Sequence, residues 1–83
     1  MWQEITLDKV KYGDIIKIKP LEDYKEDGGD ITELVEKFAG QECTVHKVVI
    51  EDGVRVFSAG NSDLGSCSFE DFEIAHAYTY VAD

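Results

Sequence analysis

The chain has 83 residues, of which 43% are hydrophobic, and its 18 acidic and 8 basic side chains give a net charge of −10 at pH 7. This length suits one domain, and the apolar content is too high for a disordered chain. The acidity argues against direct binding to nucleic acid or to an anionic membrane, and it is compatible with a basic protein partner or with solubility alone. No apolar run approaches the roughly 20 residues of a membrane span. The N-terminus has no secretory-signal pattern, so a cytoplasmic location is expected.

The first strand is predicted over residues 14–19. Ile16 and Ile18 alternate there with lysines, which is the period of a strand with one buried face. The sequence Tyr12-Gly13-Asp14 predicts a turn before it, because glycine adopts the positive φ that other residues resist. Pro20 cannot donate to a β-ladder and is predicted to end the strand.

Residues 20–40 form an acidic segment that holds seven of the 18 acidic side chains. Its first half is polar and ends in Gly28-Gly29, which predicts a loop. In its second half Asp30 has the side chain of an N-cap, and Glu33 would complete a capping box. An apolar stripe at helical spacing predicts a short helix over residues 31–38 that ends before Gly40. The stripe consists of Ile31, Leu34, Val35 and Phe38.

The remainder of the chain predicts short strands. Two β-branched runs, 43–50 and 54–58, are joined by Glu51-Asp52-Gly53, and Asp-Gly in that position is a strong hairpin signal. "SCSF" predicts another strand, "EDF" a single helical turn and "EIAH" a last strand. Residues 77–83 have no predicted covering element and are a candidate loose tail.

Three segments resemble the SH3-like barrel superfamily: "YGDIIKIK", "AGQECTVHKVVIEDGVRVF" and "CSFEDFEIA", together covering roughly residues 10–76. The resemblance implies a mainly β fold, a small five-stranded barrel with the helix near 31–38 inserted in the long loop after the first strand. One departure is Cys43, which stands where the pattern has a second glycine. Many functions share this fold. Superfamily members that bind Pro-rich peptides carry a Trp and a Pro that have no counterpart here, which disfavours peptide binding of that kind. Members that contact RNA use basic loops, whereas the matching loops here are acidic, which disfavours RNA binding.

Metal sites find little support in the residue spacing. A calcium loop starting at Asp23 fails, because Lys25 and Leu34 occupy positions that need oxygen ligands. Zinc ligand types are present at Cys43, His46, Cys67 and His76, but no C-x2-C pair occurs. On a regular strand, residues 43 and 46 also point to opposite faces, so a zinc site that used both would need a β-bulge between them.

Enzymatic chemistry is not expected. A thiolate at Cys67 would need positive surroundings, and its neighbourhood is acidic. Two cysteines are fewer than a disulfide framework usually needs, so Cys43 and Cys67 are predicted to be reduced, with a bridge left open if the strands bring them together. We therefore predict no catalytic residue, no metal and no cofactor.

The acidic insertion over residues 22–38 is the predicted contact surface, because inserted loops on rigid scaffolds often carry binding. The chain is interpreted as an acidic protein-binding module or inhibitor, of the kind encoded as a phage or mobile-element accessory protein, acting on a basic host protein. A monomer is favoured. The partner-binding residues are predicted to be Tyr24, Glu26, Asp27, Glu33 and Glu36.

A solvated insertion that contacts no partner fits the sequence equally well, and two alternative functions also stay open. One is a nucleic-acid mimic that blocks a DNA- or RNA-binding enzyme, with one carboxylate row over 22–36 and a second row formed by Asp63, Glu70, Asp71 and Glu73. The other is a structural subunit of an assembly, whose segment Tyr78-Thr79-Tyr80-Val81 would pair with the edge strand of another chain.

Overall fold

The computed structural model describes residues 1–26 and 31–82, with only the backbone of Glu26. These residues form a mainly β structure, as predicted, with six strands and two short helices. The strands are β1 (Trp2–Ile5), β2 (Ile15–Ile18), β3 (Glu42–Glu51), β4 (Val54–Asn61), β5 (Gly65–Glu70) and β6 (Ile74–Tyr80). The helices are α1 (Leu21–Glu26) and α2 (Glu33–Phe38), and single 3₁₀ turns occur at Leu7–Lys9 and Asp71–Glu73.

All strand pairs are antiparallel, and the strand order is β1-β6-β2-β3-β4-β5. The two edge strands of this order, β1 and β5, are not hydrogen-bonded to each other, so the sheet is open rather than the closed barrel predicted from the sequence. The described residues also form six strands instead of five, because β1 adds to the sheet beyond β6.

The predicted loose tail over 77–83 begins inside the sheet. Ala77–Tyr80 form the second half of β6, where Ala77 is paired with Ile5 and Tyr80 with Trp2. On its other side β6 pairs with β2, so Ala77 also lies opposite Ile16. Tyr78 is paired on both sides, and Thr79 and Tyr80 are paired with β1, so this segment does not belong to an edge strand of the described sheet. The edge strands of that sheet are β1 and β5.

The predicted central hairpin is confirmed. β3 and β4 are joined by Asp52 and Gly53, whose φ values of 51° and 79° are both positive, as a two-residue type I′ turn requires. The pairing of these strands shifts register between Val45 and Lys47, so His46 forms a β-bulge. Cys43, the departure from the superfamily pattern, lies in the ladder opposite Ile16, in ordinary strand pairing.

The connection between β2 and β3 differs in part from its prediction. The segment after Pro20 was predicted to be a loop but forms α1. Pro20 accepts a hydrogen bond from the backbone N–H of Asp23 at 3.0 Å, consistent with the preference of proline for the first turn of a helix. The insertion follows the second strand of the structure, since β1 precedes β2.

The start and end of α2 are set by residues close to it. Its N-cap is Thr32, whose hydroxyl accepts from the Val35 N–H at 3.2 Å, whereas the predicted N-cap Asp30 lies outside the described residues. The N-cap is the residue directly before the first helical residue, which is Thr32 for a helix that begins at Glu33. The predicted capping box of Asp30 and Glu33 is therefore wrong. Gly40, with φ of 76°, follows the last turn, which confirms the predicted end of the helix.

The core lies on one face of the sheet, here called the inner face, and α2 covers part of it. Fully buried side chains include Ile16, Ile18, Val45 and Phe57. Phe38 of α2 is 1% exposed, and its ring meets that of Phe69 edge to face with centroids 5.3 Å apart. Neither described helix is long and apolar enough to cross a membrane.

Candidate functional site

Tyr24, the aromatic member of the predicted contact surface, is part of the core. Its side chain is 4% exposed, and its hydroxyl donates to Glu73 Oε1 at 3.3 Å. Burial, reinforced by the neighbouring Glu73 carboxylate, raises the pKa of Tyr24 well above its usual value of 10.0. The prediction that Tyr24 is an exposed contact residue is therefore wrong. The polar, acidic residues around Tyr24 give no local sign that its ring is buried in the core.

Glu33 and Glu36 are the two predicted contact residues that the structure brings together on an exposed surface. Both lie in the first turn of α2 and both are exposed. Carboxylates are favourable there because the N-terminal end of a helix carries partial positive charge. Asp27 and the side chain of Glu26 lie outside the described residues. We call Glu33 and Glu36, with the α2 backbone that carries them, the helical surface.

A shallow depression of about 150 Å³ lies between α2 and β5. Its lining includes Leu34, Phe38, Cys67 and Phe69. Leu34 was predicted to pack inward with the apolar stripe of α2, but it lines this depression and is 54% exposed. At about 150 Å³ the depression is smaller than typical ligand pockets, so it offers little room for a ligand.

The second carboxylate row of the nucleic-acid mimic is partly engaged within the chain. Glu73 accepts from the backbone N–H of Glu70 at 2.8 Å as well as from Tyr24. Asp71 lies 3.7 Å from Arg55. A carboxylate that stabilises a turn or neutralises a neighbouring guanidinium is less free to imitate a phosphate, so this row has fewer available charges than the sequence suggested.

A surface that the sequence did not identify lies on the other face of the sheet. Strand register puts Trp2, Tyr78 and Tyr80 on this face together with Ile15. Trp2 is 47% exposed and Tyr80 61% exposed, and their rings meet edge to face with centroids 5.4 Å apart. We call these four residues the outer aromatic face. Exposed aromatic clusters of this kind typically mark binding surfaces.

The outer aromatic face contains an open groove of about 280 Å³, lined by Trp2, Ile15, Glu42 and Tyr78. Three of these residues provide apolar or aromatic surface, and Glu42 provides a carboxylate. They come from four strands, β1, β2, β3 and β6, so the groove forms only when the first and last strands are paired. Local sequence patterns carry no information about that pairing, although the alternation of Tyr78 and Tyr80 is a weak sign of an exposed strand face.

A His–Glu pair closes one side of the outer aromatic face. His76 Nδ1 lies 2.7 Å from Glu4 Oε2, which links β6 to the edge strand β1. The His76 ring also lies 6.2 Å from the ring of Tyr78, measured between centroids. The pair helps to hold β1 in position next to the groove.

The residues considered for zinc or thiol chemistry do not converge. Cys43 is 2% exposed on the inner face, whereas the bulged residue His46 is exposed beside Gly60 on the opposite face. Burial raises the pKa of the Cys43 thiol, which makes it a poor nucleophile. Both cysteines are free, as predicted. Within residues 1–26 and 31–82, no three His, Cys, Asp or Glu side chains are grouped to hold a metal ion.

Asp14 is a buried carboxylate with a structural role. It is 3% exposed and accepts hydrogen bonds from the Thr79 hydroxyl at 2.6 Å and the Lys11 backbone N–H at 3.0 Å, while the Lys11 ammonium lies 3.2 Å away. These contacts connect the turn before β2 to β6. Every oxygen has a donor, so Asp14 is occupied by structural contacts rather than available for catalysis.

Comparison of the chain with protein-family models, with curated proteins and with solved structures found no match in any of the three.

Proposed function

We propose that this protein is a small acidic binding module that attaches to a basic surface of another protein, where it can act as an inhibitor. The observation that carries the proposal is the outer aromatic face: Trp2 and Tyr80 stay largely exposed on a chain with a net charge of −10. Exposed aromatics supply contact area, and the charge defines the kind of partner. The proposed module has no catalytic activity and needs no cofactor.

The finer fold assignment belongs to the same proposal. We propose an SH3-like relationship for the part of the chain from β2 to β6, with β1 as an addition. The support is that β2 pairs with both β3 and β6, that β3, β4 and β5 follow as a meander, and that the 3₁₀ turn Asp71–Glu73 precedes β6. A phage or mobile-element origin and a cytoplasmic site of action would fit a small acidic inhibitor of a host protein.

The two surfaces would have different parts in such an interaction. Glu33 and Glu36 on the helical surface would attract a basic partner over a distance and raise the association rate. The outer aromatic face would supply the desolvated contact that determines how long the complex lasts. A nucleic-acid mimic would instead need carboxylates that are free to bind the partner, and its exposed aromatic residues would not be required for binding.

The test is capture of host proteins on the immobilised chain at low and at high ionic strength, followed by identification and reconstitution with the purified partner. We expect a basic protein that binds the chain at low ionic strength and is released when the salt concentration rises. A Trp2→Ala variant should lose the partner, and a variant with both Glu33→Gln and Glu36→Gln should bind it more slowly. Retention of no basic protein at low ionic strength would refute the proposal, and full retention by Trp2→Ala would favour the mimic.

A further inference from the structure

The groove on the outer aromatic face has the chemistry of a cation site. Trp2 and Tyr78 contribute aromatic rings, Ile15 contributes apolar surface, and Glu42 is the charged residue of the lining. Aromatic faces attract cations through their quadrupole, and tryptophan does so most strongly. A carboxylate beside such rings adds a hydrogen-bond acceptor for the same cation.

The charges next to the groove have mixed signs. Lys17 lies on the same face of the sheet, opposite Glu42 in β3 and His76 in β6. Lys17 does not line the groove, and none of the four lining residues is cationic. The Glu4 carboxylate is hydrogen-bonded to His76 and does not line the groove, whereas the Glu42 carboxylate does. The site therefore favours a positively charged group over a neutral or negative one.

A guanidinium group fits these features better than an ammonium group. It is planar and weakly hydrated, it stacks on aromatic rings, and its fork of donors matches a carboxylate. A groove that is open to solvent does not enclose a compact ammonium ion, whereas a flat group can lie along its wall. The groove crosses four neighbouring strands, from β1 to β3, so an extended segment lying across the outer aromatic face reaches it without displacing a strand.

We propose that the groove formed by Trp2, Ile15, Glu42 and Tyr78 holds an arginine side chain from an extended basic segment of the partner. The proposal rests on the proposed function, since it specifies the group that the binding module recognises. The guanidinium stacks on the aromatic rings and donates hydrogen bonds to the Glu42 carboxylate.

The single Trp of the chain lies in the groove, so its fluorescence reports directly on occupancy. The probe is a short extended peptide with arginine at alternate positions, titrated into the full chain at low ionic strength. Two matched peptides replace arginine with lysine or with citrulline, which has nearly the same shape as arginine but no charge. We expect saturable changes in Trp2 emission with the arginine peptide, weaker binding of the lysine peptide, and binding of the citrulline peptide about tenfold weaker.

Variants locate the binding site by calorimetric titration with the arginine peptide, after circular dichroism has shown that each is folded. Glu42→Gln should weaken binding severalfold. Glu51→Gln, which removes the same charge at the far end of the β3–β4 hairpin, should change it less than twofold at moderate ionic strength, because exposed charges are screened beyond about 10 Å. Tyr78→Phe keeps the ring and should bind normally, and Tyr78→Leu should not.

Several results would overturn the inference. Equal binding of the arginine and citrulline peptides would mean that the groove recognises apolar surface. Equal loss in Glu42→Gln and Glu51→Gln would mean that net charge alone attracts the peptide. A change in Trp2 emission with the concentration of the chain alone would mean that a second copy covers the face. If the peptides fail while a captured basic partner still binds, the inference fails and the proposed function stands; if neither binds, both fail.

Discussion

Replacing Asp14 with Ala is the most informative test of how this fold is held together. Asp14 joins the turn before β2 to β6 through the Thr79 hydroxyl, at 2.6 Å, and it caps the same turn through the Lys11 N–H, at 3.0 Å. The Thr79 hydroxyl is also 2.8 Å from the Lys11 ammonium, so the three side chains form one network. Removing the carboxylate leaves partly buried donors without their acceptor.

The expected destabilisation follows from the chemistry of these contacts. A hydrogen bond to a charged group contributes about 1.5–3 kcal/mol, and bonds in one network are not additive, so we expect Asp14→Ala to cost about 3 kcal/mol. For a domain of this size, that loss lowers the melting temperature by roughly 12–24 °C. Thr79→Val removes one of these donors to the carboxylate, and we expect it to cost about 2 kcal/mol.

The assay is urea unfolding of the wild type, Asp14→Ala, Thr79→Val and the double variant, monitored by circular dichroism. The control is Asp63→Ala at an exposed position, where we expect a change within about 0.5 kcal/mol. If Asp14 and Thr79 act as a pair, the double variant loses less than the sum of the single losses. A cost for Asp14→Ala no larger than that of Asp63→Ala would refute the reasoning.

The same network determines the direction of a pH effect. Burial acts to raise the pKa of Asp14, but the hydrogen bonds from Thr79 and Lys11 outweigh it and hold the pKa below its usual value of 3.8. The unfolded chain therefore binds more protons in this range, so the contribution of Asp14 is complete above its unfolded pKa and is lost as the pH falls through its folded pKa. The stability difference between wild type and Asp14→Asn should shrink below about pH 4, and a difference that grows on acidification would contradict this assignment.

Three further predictions concern α2 and the cysteines. Phe38→Ala should cost about 3–5 kcal/mol because the ring is buried against the sheet, whereas Leu34→Ala on the exposed side should cost less than about 1 kcal/mol, both measured by urea unfolding. Thr32→Ala removes the N-cap and should lower stability by about 1 kcal/mol, with faster amide exchange in the first turn of α2. In native buffer, the half-buried thiol of Cys67 should react with a disulfide reagent well before that of Cys43, whose pKa is raised by burial, and urea should remove the difference.

Elements held by neighbouring residues could be predicted from the sequence. The Asp52-Gly53 turn works because both residues adopt positive φ, and that requirement is visible in the residue types. The end of α2 at Gly40 follows from the same kind of local rule. The apolar stripe predicted the helix and its buried residue Phe38. The N-cap was predicted wrongly, because Asp30 and Glu33 match a capping box, whereas the helix is capped by Thr32.

Features that depend on distant pairing could not be predicted. β1 is a strand because Trp2–Ile5 finds a partner in β6, more than 70 residues away along the chain. That pairing places Ala77–Tyr80 inside the sheet and brings Trp2 next to Tyr78 in the groove. Tyr24 was misassigned for a similar reason, since its burial in the core and its bond to Glu73 join residues that are 49 positions apart in the chain.

The arrangement of the two candidate surfaces limits what each can do. The helical surface belongs to the layer that covers the inner face, and the outer aromatic face lies on the other side of the same sheet. One flat partner surface therefore cannot contact both. Electrostatic attraction acts over a longer range than van der Waals contact and cation–π attraction, although salt screens it beyond about 8 Å at physiological ionic strength. The acidic insertion that dominates the sequence is thus better suited to attracting a basic partner, and the few aromatic residues at the two ends of the chain are better suited to holding it.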